Sequence, residues 1–119
     1  MQKVDLLKEY GLYINGEFVP ASDGTTFAAH NPANGEALAL CAEATKQDVD
    51  RAVKAAREAL PSWSKTSPIE RQNLLLKIAD IIDENKERLA LVETLDNGKP
   101  IRETMAADIP LGSDHFRYF

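Results

Sequence analysis

The sequence predicts an α+β chain, with two short antiparallel β-ribbons followed by three or four helices. Three observations carry this. Asn-Gly dipeptides punctuate β-prone runs up to about residue 44, the apolar period changes from two to 3.6 at Thr45, and proline and glycine then mark helix starts and stops. A division into residues 1–44, an N-terminal segment with β-hairpins, and 45–119, a helical part, follows from the change of period.

In Leu12-Tyr-Ile-Asn-Gly-Glu-Phe-Val19, Asn15-Gly16 lies between two short β-prone runs. That dipeptide tolerates the positive φ values of a type I′ hairpin turn. Thr26–His30 and Glu36–Ala44 form the second extended pair, separated by Asn31-Pro32-Ala33-Asn34-Gly35, a turn by its proline and its second Asn-Gly.

Thr45 is placed to cap a helix over about Lys46 to Leu60, with Val49, Val53, Ala56 and Leu60 on one face and Asp50 four residues before Lys54 on the other. Pro61 is expected to end it, leaving Trp63 in a linker. Ser67-Pro68-Ile69-Glu70 reads as a capping box with proline at the first helical position. The second helix, about Pro68 to Glu84, places Leu74, Leu75, Ile78, Ala79, Ile81 and Ile82 on an arc of about 160°. Lys77, Asp80, Asp83 and Glu84 form its solvated side. A third helix through Leu89, Val92 and Leu95 stops at Asn97-Gly98, Pro100 suits the first turn of a fourth, and Pro110 breaks or kinks that fourth helix.

Gly98-Lys99 invites comparison with a phosphate-binding loop, and the comparison fails. That loop needs GxxxxGK[ST], whereas Glu93 stands five residues before Gly98 and Pro100 follows Lys99. Pro100 has neither a hydroxyl for magnesium nor a backbone N–H. A helix stop followed by a helix start explains the stretch better.

With 119 residues, 44% hydrophobic and 28% charged, the chain has the composition of one ordinary globular domain. Its net charge of −5, with Lys and Arg interleaved among Asp and Glu, argues against nucleic acid or an anionic membrane surface as partner. No apolar run approaches the roughly 20 residues of a membrane span, and Met1–Gly11 lacks a signal-peptide core. One cysteine excludes an internal disulfide, and the cytoplasm is the expected compartment.

Residues able to carry chemistry are few. No GxGxxG, GxSxG or HExxH occurs, and His30 and His115 are far apart in sequence. Cys41, within the alternating Leu38–Ala44 run, is expected to be buried and structural. His115, among Phe116, Tyr118 and Phe119, is expected to be a packed or interface histidine. Three of the eight aromatic residues fall in the last four positions. An aromatic terminus of this kind is expected where a sequence has been cut inside a structural element.

Taken together, LYINGEFV, TFAAHNPANGEALA, DVDRAVKAAREALPSW and ETLDNGKPIRET closely resemble the amino-terminal part of the NAD(P)-dependent aldehyde dehydrogenase superfamily. DNGKPIRETMAADIPLGSDHFRYF looks most like the acetaldehyde and short-chain aliphatic branch. The resemblance spans nearly the whole chain. It implies the first part of an α/β aldehyde dehydrogenase fold, and an enzyme that, when complete, oxidises an aldehyde to a carboxylic acid with NAD or NADP through a cysteine thioester, as a homo-oligomer (dimer or tetramer). CoA-acylating relatives use the same cysteine chemistry and are not distinguished within these residues.

The family's nucleophile lies far downstream, in a motif beginning Gly-Gln that Cys41 does not match. Its glutamate base, its oxyanion-holding asparagine and its cofactor-binding strands also lie beyond Phe119. The resemblance therefore assigns this chain no catalytic, cofactor-binding or metal-binding residue, and the chain alone is expected to bind no cofactor and to be inactive. Some members hold a monovalent cation near the aspartate equivalent to Asp96 and backbone carbonyls here belonging to Ala29 or His30, although Asp96 equally suits a helix brace. The alternative to an enzyme piece is a freestanding module derived from such an enzyme, serving in interaction or assembly without activity.

Overall fold

The computed structural model describes residues 4–119. Their contacts divide into two compact units, Asp5–His30 with Glu36–Lys65, and Asn31–Gly35 with Thr66–Phe119.

The first unit holds β1 (Glu9–Tyr10), β2 (Leu12–Ile14), β3 (Glu17–Val19), β4 (Thr26–His30), β5 (Ala37–Ala42) and α1 (Lys46–Trp63). β2 and β3 pair antiparallel with Tyr13 opposite Phe18. Asn15 (φ 53°) and Gly16 (φ 84°) both take the left-handed values that a two-residue I′ turn requires. β4 and β5 form the second antiparallel pair, with an irregularity between Ala29 and His30. β1, an unexpected strand, runs parallel to β5 and makes a three-stranded sheet in the order β1-β5-β4. Two residues are too short for an apolar alternation to register, so Glu9-Tyr10 becomes a strand only because β5 offers it an edge.

α1 starts at Thr45 as expected, and then departs from expectation twice. It runs through Pro61 and includes Trp63. A proline so near a helix end forfeits one hydrogen bond, and the freed carbonyl of Arg57 lies in a turn whose residues 56–65 are all exposed, where water can satisfy it. Second, the Val49, Val53 and Leu60 face points to solvent, while Asp48 is buried and Ala52 and Ala55 are half-buried. The buried apolar side chains of this unit are all alanines, Ala21, Ala39 and Ala42. Asp50 pairs with Lys46 at 2.8 Å, and Lys54 lies 3.8 Å from Glu58.

The second unit holds α2 (Pro68–Glu84), α3 (Lys86–Asn97), α4 (Ile101–Glu103), a π-helical turn (Thr104–Asp108) and α5 (Ile109–Tyr118). α2 opens with the reciprocal capping box expected of Ser67 and Glu70. Asn85 separates α2 from α3, accepting from Leu89 N–H while its own N–H and side chain donate to Ile81 O. α3 stops at Gly98 with φ 79°. A Cβ added there would stand 2.9 Å from Pro32 Cγ, so both the left-handed φ and the close approach call for glycine.

At Pro110, expected to break or kink the fourth helix, the α-helical bonding is interrupted while the helix continues. A π turn precedes the proline, with Ile109 N–H donating to Thr104 O five residues back, and this widened turn absorbs the mismatch created by the missing proline N–H. The buried centre of this unit is made of small residues, Ala79, Ala90, Thr104 and Ser113. Ser113 Oγ donates to Ala79 O at 3.3 Å where α5 meets α2. No helix among the described residues is long and apolar enough to cross a membrane.

Candidate functional site

Three polar clusters organise the chain, one in the first unit and two in the second. The first centres on Asp48, which is 1% exposed. Its Oδ2 accepts from Ser22 N–H (3.1 Å), Ser22 Oγ (3.2 Å), Thr45 N–H (2.9 Å) and Thr45 Oγ1 (2.9 Å). Hydrogen bonds from the Ser22 and Thr45 amides, with those hydroxyls, stabilise the anion and hold its pKa down at about 2. Oδ1 has no hydrogen-bond partner, and the Arg51 guanidinium lies 3.8 Å from it. Asp23 braces the neighbouring loop by accepting from the N–H (3.0 Å) and hydroxyl (2.7 Å) of Thr25.

The second cluster surrounds Lys99. Its Nζ lies 2.7 Å from Asp108 Oδ2 and 3.8 Å from Glu93 Oε1, and its N–H donates to Asn97 Oδ1 at 2.8 Å. The hydrogen bond to Asp108 raises the lysine pKa. Beneath it Thr104 Oγ1 donates to Ile101 O (3.1 Å), which leaves Thr94 as the donor in the 3.1 Å contact between the two threonine hydroxyls. The Gly98-Lys99 step is thus a helix junction, as the sequence suggested, with its ammonium already engaged by carboxylates.

In the third cluster Arg117 bonds Asp80 (2.9 Å), Asp83 (2.7 Å) and the Ser113 hydroxyl. Asp80 and Asp83, read from sequence as part of a solvated face, are exposed and also anchor α5 to α2, and the hydrogen bonds of Asp83 lower its pKa. A groove of about 520 Å³ opens between the start of α2 (Ser67, Ile69, Gln72, Leu76) and Phe116–Phe119. Its walls mix apolar side chains with Ser67, Gln72 and Arg117.

The groups able to do chemistry remain scattered. Cys41 is half-buried rather than buried, because the strands flanking β5 are short and its neighbour Phe27 is itself 52% exposed. It faces Tyr10 and Phe27 across the sheet, and neither supplies the imidazole or carboxylate that activates a thiol. His115 is exposed rather than packed, with Nδ1 2.6 Å from Leu111 O one turn back. Asp96 is exposed, and no group of three His, Cys, Asp or Glu able to hold a metal occurs among the described residues. Gly98 closes a helix and Lys99 is committed to Asp108, so this pair does not form a phosphate-binding loop. Sequence reasoning missed Asp48, whose signal was its place three residues after Thr45 in a capping box.

Residues 18–119 match the family model described as the aldehyde dehydrogenase family. The chain belongs to the aldehyde dehydrogenase family. It is 54% identical over 110 residues to the acetaldehyde dehydrogenase of Pseudomonas aeruginosa, covering 92% of this chain and 22% of that protein. An aldehyde dehydrogenase of Deinococcus radiodurans is 49% identical over 116 residues, covering 98% of this chain and 22% of the relative. Among solved structures, the NAD+ complex of an aldehyde dehydrogenase from Bacillus cereus superposes with a TM-score of 0.90 at 46% identity, covering 92% of this chain and 23% of that one. The apo indole-3-acetaldehyde dehydrogenase gives 0.91 at 38% identity, covering 96% and 27%. The expected α+β piece of an aldehyde dehydrogenase fold is therefore the fold found, and the chain spans about 22% of the length of the curated relatives it matches.

Proposed function

We propose that this chain forms the amino-terminal part of an NAD- or NADP-dependent enzyme that oxidises a short-chain aldehyde to a carboxylic acid through a cysteine thioester. The carrying observation is the 54% identity to an acetaldehyde dehydrogenase across 92% of the chain. In this reading the chain is scaffold. Asp48 fixes the start of α1, Lys99 and Asp108 fix the junction between α3 and the last helix, and Arg117 clamps α5 to α2. The nucleophile, the base and the cofactor-binding strands come from sequence outside this chain, so the 119 residues alone oxidise no aldehyde. The complete enzyme acts in the cytoplasm as a homo-oligomer.

Two assays test this. The purified chain, given acetaldehyde with NAD+ or NADP+, is expected to yield no NADH or NADPH, and turnover proportional to chain concentration would refute its inactivity. A chimera in which this chain replaces the matching segment of the Pseudomonas aeruginosa acetaldehyde dehydrogenase is expected to reduce NAD(P)+ in the presence of acetaldehyde. A folded chimera without activity would defeat the enzyme assignment and favour a freestanding assembly module.

A further inference from the structure

The face that α1 turns to its own unit lies about 100° around the helix from the face its sequence makes apolar. Val49, Val53, Ala56 and Leu60 fall within about 60° of one another at 100° per residue. Three of them are large and remain half exposed, Val49 at 53%, Val53 at 49% and Leu60 at 55%. The helix contacts its own unit through Asp48, Ala52 and Ala55. One edge of the stripe is lined by Lys46, Asp50 and Arg57, the other by Ala59, whose small side chain lets a neighbouring element approach closely, and by Ala52, which already turns toward its own unit. A narrow apolar stripe with one charged and one small-residue border is the pattern of a helix packed on both sides.

We propose that this stripe is a docking surface for the remaining part of the same polypeptide, an apolar helix or sheet face of the aldehyde dehydrogenase fold outside these residues. The inference rests on the proposed function above. Its occupant follows from length: in the solved relatives that superpose at 0.90, this fold accounts for only 22 to 23% of the chain, leaving more than three quarters of each protein to supply a covering surface. The exposed valines and leucine then become interior when the rest of the chain is present.

The test compares V49D/V53D in two settings. Val and Asp have similar helix propensities, so the change probes the face rather than the helix. In the 119-residue chain the double substitution is expected to leave the urea midpoint and helical circular dichroism unchanged. In the chimera carrying the rest of the Pseudomonas aeruginosa acetaldehyde dehydrogenase, it is expected to speed thermal unfolding, followed by the loss of circular dichroism, by about tenfold or more.

A chimera indifferent to V49D/V53D overturns the docking proposal while its activity upholds the enzyme assignment. Destabilisation of the isolated chain also overturns it, because the face would then belong to the unit's own core. A dimeric parent chain made monomeric by V49D/V53D would assign the face to a second copy instead. A parent chimera that fails to fold removes the proposed occupant and the proposal with it. A chimera that folds and responds to V49D/V53D but lacks activity keeps the docking surface and defeats the enzyme assignment.

Discussion

Asp48 Oδ2 accepts the backbone N–H of Ser22 at 3.1 Å, across 26 residues of sequence. This one carboxylate oxygen joins the loop after the β2–β3 hairpin to the first turn of α1, and three further donors converge on it. Asp48→Asn keeps the shape but removes the charge, and sets an amide N–H₂ either against those donors or in the place of Oδ1. It is expected to lower the melting temperature of the chain several times more than Asp50→Asn. Asp50 sits in an exposed pair with Lys46, of a kind worth roughly 0.5 kcal/mol or less. Paired thermal melts by circular dichroism decide this, and equal shifts would deny Asp48 its structural role.

Acid should loosen the chain through the same carboxylates. The folded pKa of Asp48, about 2, is depressed, and those of Asp23, Glu70 and Asp83 are also lowered. Each stabilises the folded state at pH above its unfolded pKa, near 4 for carboxylates, and that stability is lost as pH falls through the folded value. The urea midpoint is expected to hold between about pH 7 and 5 and to fall between about pH 4 and 2, with a shallower fall in Asp48→Asn.

Lys99 has the opposite sign. Its folded pKa is raised by Asp108, so its contribution is complete below the ordinary lysine value near 10.4 and disappears as pH rises through the folded one. Lys99→Met should flatten the alkaline limb of the urea midpoint. An unchanged limb would mean that the bond to Asp108 contributes nothing to folding.

Gly98→Ala is expected to cost about 1 kcal/mol or more, because φ there is positive and the new methyl meets Pro32. Denaturant unfolding measures it. Gly24→Ala, with positive φ but open space around it, separates the backbone cost from the steric one.

At the crossing of α2 and α5, Ala79 is fully buried under Ser113. Ala79→Leu overpacks it and should cost about 1 to 3 kcal/mol. Ser67→Ala, which removes only a cap, should cost about 1 kcal/mol. A neutral Ala79→Leu would show that the two helices are free to separate.

Elements with local causes were legible in the sequence. Asn15-Gly16, the Ser67–Glu70 box and Gly98-Lys99-Pro100 each act within four or five residues, and each does what its residue types dictate. The Pro61 expectation failed, and Pro110 interrupts its helix without ending it, because proline's cost depends on surroundings. At Pro61 the freed carbonyl is solvated near a helix end, and at Pro110 a π turn rearranges the hydrogen bonds.

The sequence by itself determined that a β-rich beginning gives way to capped amphipathic helices, and through its motifs that the chain resembles aldehyde dehydrogenases, because periodicity, caps and turns are written in neighbouring residues. Only the tertiary structure decided the rest. It showed β1 pairing with β5, Asp48 gathering Ser22, Arg117 uniting Asp80 and Asp83, and α1 turning Ala52 and Ala55 inward and its valines outward. Each depends on partners tens of residues away in sequence. The orientation of α1 is set by where its neighbours lie, since apolar periodicity tells which face seeks burial but not whether that burial comes from within the same unit.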